Sequence, residues 1–160
     1  MKYFWITVKH KWFVFLASLR TGLPLWRVII HDLSKFMRAE LPHYDRQFFG
    51  DKNDPVGFAG AWLHHQNLNP HHWEYWITRS DHSHGGSGAV DGCLKMPRLY
   101  VIEMITDWLG ASKAYTGSWD MTTWLEGNLQ KMRLHPETRL EIWHQLFLLG
   151  YEEYSQTEKG

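Results

Sequence analysis

The sequence predicts an all-α fold, a compact helical bundle, and three observations lead there. Apolar residues recur at three- and four-residue intervals through most of the chain. Proline or glycine punctuates each run where a helix would start or stop. No two alternating segments flank a hairpin turn signal. At 160 residues the chain suits one domain, 1–160, able to bury roughly 70% of its unfolded surface.

The elements follow in order. Residues 3–20 form a first, buried amphipathic helix, stopped by Thr21-Gly22. Pro24 suits the first turn of a second helix carrying "LWRVIIHDLSKF", with His31 and Asp32 near its end. "RAELPHYDRQFF" is a short third stretch, interrupted by Pro42 and ended by Gly50. Asp54-Pro55 opens a fourth helix, "VGFAGAWLHHQN", and Asn69-Pro70 restarts the chain into "HHWEYW". Residues 78–95 turn to Gly, Ser, His and Asp and read as a long flexible loop. Pro97 begins "PRLYVIEMITDWLGASKAY", which closes a core spanning about 3–115. Two C-terminal helices, 120–132 and 136–150, complete the chain, the second opened by Pro136 with Glu137 in its first turn.

Composition narrows the function classes. Seventeen basic and seventeen acidic side chains cancel, which argues against general nucleic-acid binding through counterion release. The single cysteine, Cys93, cannot form an internal disulfide. The aromatic start is broken by Lys9, His10 and Lys11, too early for either half to span a bilayer. These features predict a cytoplasmic protein without a membrane partner. Eleven histidines and ten tryptophans point instead to metal or proton chemistry and to a large core or a stacking surface.

The ionisable residues within apolar sequence carry the functional signal. His10 lies between aromatic neighbours, His31-Asp32 follows "VII", and His64-His65 ends the fourth helix. Asp107 stands four residues after Glu103, on the same helical face. Imidazoles and carboxylates from separate helices can converge inside a bundle on one metal. A nitrogen and oxygen ligand set without thiolate suits first-row divalent ions rather than Cu(I) or iron–sulfur clusters. Each residue also has an ordinary reading. His31-Asp32 could cap a helix end, Lys35 could balance a helix dipole, and Glu103 could form a plain salt bridge. Trp73 and Trp76 could be core or a stacking wall. His64 and His65 point about 100° apart on a helix, so one of them faces a given metal, and His64 is the preferred candidate. His82 and His84 read as solvated loop residues, and His135 and His144 receive no role.

The order His, His-Asp, His-His, Asp resembles the HD-domain superfamily of metal-dependent phosphohydrolases over residues 10–110. "HDLSK" is similar to that superfamily's "HD-x-[GS]-K" signature, "AWLHHQN" to its later helix end, and "MPRLYVIEMITDWLGA" to its closing helix. The joint occurrence of "HDLSKF" and "NPHHWEYW" resembles a small HD-like group. The resemblance implies that His10, His31, Asp32 and Asp107 hold a first metal, with Asp32 bridging to a second. His64, His65 and one of His71 or His72 are the candidates for the second ion. His71 and His72 could orient substrate instead, and Glu103 could hydrogen-bond a ligating histidine. Asp32, Lys35 and His65 are the implied catalytic residues, with Lys35 on a substrate phosphate. The chain departs from the two-metal members at one point: no histidine follows the pair by about two dozen residues.

The expected cofactor is therefore one or two divalent ions per chain, Mn, Fe, Zn, Mg, Co or Ni. The expected activity is hydrolysis of a phosphoester, as phosphohydrolase or phosphodiesterase, on a nucleotide or cyclic nucleotide. Two other classes use the same scaffold: a di-iron oxygenase oxidising a small substrate with O₂, and a non-catalytic metal-binding module. Exposed aromatics at near-zero net charge are compatible with a homodimer.

Overall fold

The computed structural model describes residues 2–78 and 88–155. Seven α-helices account for most of them: α1 (Lys2–Thr21), α2 (Leu25–Ile30), α3 (Leu41–Phe49), α4 (Pro55–Leu68), α5 (Arg98–Thr116), α6 (Thr122–Asn128) and α7 (Pro136–Leu148). Short 3-10 turns follow α2 (Leu33–Phe36), precede α5 (Trp73–Trp76), and follow α6 and α7. Among the described residues, extended backbone pairs only in isolated bridges, Ile77 and Val90 each with Cys93. The fold is all-α, as the periodicity predicts.

The two longest helices, α1 and α5, form the axis of the molecule and run antiparallel. Lys9 Nζ donates to the Ala114 carbonyl, Val14 lies against Gly110, and the Thr21 and Thr106 hydroxyls meet at 2.7 Å. A Cβ on Gly110 would fall 2.7 Å from Val14 Cγ2 and 2.8 Å from its backbone nitrogen. Glycine is what permits this approach. The main core lies between α5, α6 and α7, where Met104, Ile105, Leu109, Leu125, Ile142 and Leu146 are fully buried. A smaller cluster of Tyr3, Leu41, Tyr44 and Ala61 ties α3 and α4 to the start of α1. A third, of Val14, Leu23 and Val28, seats α2 on α1.

Three expectations change. The second helix stops at Ile30 and does not carry "HDLSKF": His31 has φ −50 and ψ 128, and Asp32 is left-handed at φ 57 and ψ 20. The chain thus bends sharply at the His-Asp pair before re-forming as a 3-10 turn. Pro42 does not interrupt α3 but sits in its first turn, where its missing N–H leaves no bond unmade. The first helix is not buried on all its apolar sides, since Trp5, Trp12 and Leu19 are exposed. The loop expected over 78–95 lies partly outside the described residues, with His82 and His84. No described helix is long and apolar enough to cross a membrane.

Candidate metal centre

The bend after α2 is the structural basis of the site. Lys11 reaches from α1 to the last carbonyls of this segment, at 3.3 Å from Val28 and 3.2 Å from Ile29, and also bonds that of His31. One ammonium thereby satisfies acceptors that helix termination leaves bare. With the segment pinned, the left-handed backbone at Asp32 turns its fully buried carboxylate inward.

Two groups of donors share that carboxylate. On one side, Asp32 Oδ2 lies 3.5 Å from His10 Nε2 and 3.4 Å from His31 Nε2. Asp107 Oδ1 completes this group at 2.9 Å from His10 Nε2 and 3.4 Å from His31 Nε2. On the other side, Asp32 Oδ1 lies 3.4 Å from both His65 Nε2 and His71 Nε2, and His72 joins them. Within each group the candidate ligand atoms fall within 4.8 Å of one another. Metal bonds of about 2.0–2.2 Å bring neighbouring donors to roughly 3.0–3.5 Å, the spacing found here.

The donor chemistry fits a cation. The Nε2 atoms of His10, His31, His65, His71 and His72 are buried with no hydrogen-bond partner, and so is Asp32 Oδ1. Buried polar atoms are rarely left unsatisfied, and five unpartnered imidazole nitrogens facing a carboxylate are costly without an ion.

A family of unknown function (DUF5662) is the family whose model matches, over residues 1–146. The chain belongs to that family. No curated protein and no solved structure matches it.

An outer layer of carboxylates orients the imidazoles of this family member. Glu103 Oε1 accepts from His31 Nδ1 at 3.1 Å and lies 3.3 Å from His71 Nδ1, while Arg27 pairs with its other oxygen. His31, His71 and Glu103 also lie close enough to hold an ion. With Arg27 supplying the countercharge, we read Glu103 as the group that fixes both rings with Nε2 free. Burial pushes the Glu103 carboxyl up, but the imidazoles of His31 and His71 beside it outweigh this and hold the group down at about 2. Glu40 does the same on the far side: Oε2 accepts from His65 Nδ1 at 3.0 Å, and Oε1 from His64 Nδ1 at 2.7 Å. Ser34 and Asn69 close around the same His65 nitrogen, at 2.9 Å and 3.1 Å.

His64 is where the sequence reading and the structure part. His65, one residue on, is fully buried and faces Asp32, while His64 is turned to Glu40 and belongs to neither donor group. Helix geometry permits only one of the two to face inward, and it is His65. His71, left open between ligand and substrate contact, stands beside Asp32 and Glu103. The wide gap after the His-Asp pair is bridged by His65 and His71, which approach from farther along the chain. Glu40, Ser34, Asn69 and Arg27 were not singled out from the sequence.

The charges around the centre oppose burial. Desolvation would raise Asp32 and Asp107, yet the surrounding imidazoles, with Lys35 beside Asp32, hold both well below the usual carboxylate range. Burial lowers His65 and drives His72 far down, leaving both neutral with free lone pairs. Lys35 Nζ sits 2.5 Å from Asp32 Oδ2; burial opposes its charge, but Asp32 wins and raises it well above the ordinary lysine range.

Two cavities open on the centre and share Trp62, His72, Asp107 and Tyr115. The smaller, about 450 Å³, has aromatic walls that include Tyr3, Phe48 and Phe58, with Lys35 and His10 lining it as well. The larger, about 550 Å³, sets Trp73, Trp108 and Trp124 beside Ser112, Asn128 and Lys131. Trp73 is therefore both core and cavity wall, and Trp76 packs on the core with its indole N–H bonded to the Pro70 carbonyl at 2.7 Å.

Proposed function

We propose that this protein is a metal-dependent phosphohydrolase or phosphodiesterase acting on a nucleotide or cyclic nucleotide. One observation carries the reading: a fully buried, bent-in Asp32 offers one oxygen to each of two groups of unpartnered imidazole nitrogens. His10, His31, Asp32 and Asp107 would hold one ion, and Asp32, His65, His71 and His72 a second, drawn from Mn, Fe, Zn, Mg, Co or Ni. Such an ion, when bound, polarises a phosphoryl oxygen and lowers the pKa of water from 15.7 to about 7.

The remaining roles belong to the chain's own side chains. Lys35, paired with Asp32 and open to the aromatic cavity, places a positive charge where the non-bridging phosphate oxygens gather negative charge. Trp73, Trp108 and Trp124 offer faces on which a nucleobase can stack, and Ser112, Asn128 and Lys131 beside them offer hydrogen bonds to its edge or its ribose. Burial of the imidazoles excludes bulk water from the ligand side.

Elemental analysis, followed by a nucleotide and phosphodiester screen with Mn, tests the reading. At least one metal per chain is expected, with phosphate or nucleotide release. Asp32→Asn should remove metal and lower turnover by about a hundredfold or more. Lys35→Met should keep the metal and lose turnover. Less than one bindable metal per chain, or an unchanged Asp32→Asn protein, would overturn the proposal. Iron-dependent O₂ consumption without phosphate release would replace it with the oxygenase reading, and metal binding without turnover with the binding-module reading.

A further inference from the structure

The outer side of α1 and α2 carries a broad exposed apolar surface that neither the core nor the metal centre uses. Trp5 is 69% exposed, Trp12 57% and Leu19 72%, and Val8 is exposed between them. At 100° per residue these four fall within an arc of about 60°. The stripe continues onto α2, which packs on α1 through Val14, Leu23 and Val28. There Leu25, Trp26, Ile29 and Ile30 all face outward. The ring of Phe15, packed against this junction, lies 5.5 Å from that of Trp12 and joins the two surfaces. Large contiguous apolar patches on a globular protein mark an interaction site.

The charge of this face selects the partner. Residues 2–31 contain no Asp or Glu, and the first two acids that follow, Asp32 and Glu40, are fully buried. Lys2, Lys9 and Arg20 lie on one exposed line beside the apolar stripe, within about 20° of one another on the wheel, Lys9 with its ammonium also bonded to the Ala114 carbonyl. Arg38 is exposed just beyond the turn that follows α2. A second copy of the chain docking here through a two-fold axis would bring these cations against their own counterparts, with no acid on α1 or α2 to receive them. An anionic lipid surface meets both halves of the pattern. Tryptophan rings settle at the headgroup boundary, aliphatic side chains enter beneath it, and flanking lysine and arginine pair with the anionic headgroups.

We propose that the α1–α2 face is a membrane-surface docking site, on which α1 lies in the plane of an anionic bilayer without crossing it. The proposal departs from the expectation of no membrane partner, and it stands whether or not the metal centre hydrolyses phosphoesters.

Flotation of the full metal-loaded chain with vesicles tests it. The protein should float with phosphatidylcholine vesicles containing phosphatidylserine, less with pure phosphatidylcholine, and less again in high salt. Trp5→Gln combined with Trp12→Gln should weaken partitioning by about tenfold or more. Lys2→Gln and Arg20→Gln should each weaken it by roughly fivefold. All four side chains are exposed, so melting curves should match the unmodified protein; Leu19→Gln, the most exposed of the stripe, serves as an independent variant should the double tryptophan change disturb the fold. Absence of flotation with anionic vesicles would overturn the proposal, as would flotation indifferent to lipid charge and to both lysine and arginine changes. Sedimentation velocity supplies the competing outcome. A dimer that Trp5→Gln/Trp12→Gln dissociates, in a protein that ignores vesicles, would make this face a self-interface.

Discussion

Glu103 shows how much at the centre depends on one oxygen. Its Oε1 faces Nδ1 of His31 at 3.1 Å and of His71 at 3.3 Å, so a single atom orients an imidazole in each donor group. Glu103→Gln preserves shape, but with its oxygen kept on the two imidazoles its NH2 group meets the Arg27 guanidinium, donor against donor. It also leaves Arg27 buried without its countercharge. We expect a folded protein whose Mn or Zn affinity, read by calorimetric titration, falls by about 10- to 100-fold. Unchanged affinity would mean that packing alone orients the rings. At this scale, sequence legibility follows residue type. His10, His31, Asp32, the His64-His65 pair and Asp107 stand out because ionisable groups are rare inside apolar runs, though the sequence favours His64 where the fold turns His65 inward. Glu40 does not, because "MRAELPHY" reads as a polar connection and only the tertiary fold buries it.

At the scale of elements, the first donor group is set by how closely α1 approaches α5. Val14 stands one turn after His10 on α1, and Gly110 one turn after Asp107 on α5. Because the helices are antiparallel, this places the Val14–Gly110 contact between His10 and Asp107 along the axis, with their side chains meeting at 2.9 Å. A methyl group at Gly110 would meet backbone atoms of Val14, which cannot swing aside as a side chain can. Gly110→Ala should therefore push the helices apart, destabilise the fold by about 1–3 kcal/mol, and lower metal stoichiometry before it unfolds the protein. Thermal melts paired with metal analysis check both parts; full stoichiometry would show that His10 and Asp107 follow the displaced backbone. The helices themselves were legible from periodicity and from Pro24, Pro55, Pro97 and Pro136. The break between Ile30 and Leu33 was not. Nothing in "VIIHDLSKF" forbids a continuous helix, and the left-handed turn at Asp32 exists because Lys11 and the surrounding imidazoles stabilise it.

At the scale of the molecule, the centre is where most of the chain is tied together. Donors arrive from α1, from the bend after α2, from α4, from the segment before Trp73 and from α5. The C-terminal helices α6 and α7 contribute none and hold the main apolar core instead. The periodicity revealed both halves but could not say which apolar side of α1 faces inward, because Trp5 and Trp12 are as hydrophobic as the residues that bury. An ion in either group would be held by three of these segments in the native state and by none in the unfolded one, so it would add to stability by mass action. At a metal concentration about a hundred times Kd the gain is about 2.7 kcal/mol, which for a chain of this size raises the melting temperature by roughly 5–10 °C. Removal of metal with a chelator should lower the melting temperature by that amount, and readdition of Mn should restore it. Asp32→Asn should melt at one temperature with or without metal, because the carboxylate common to both groups is gone. A wild-type melt indifferent to chelator would mean that the pairing of imidazoles with carboxylates already satisfies the interior, and that the convergence of these five segments is structural.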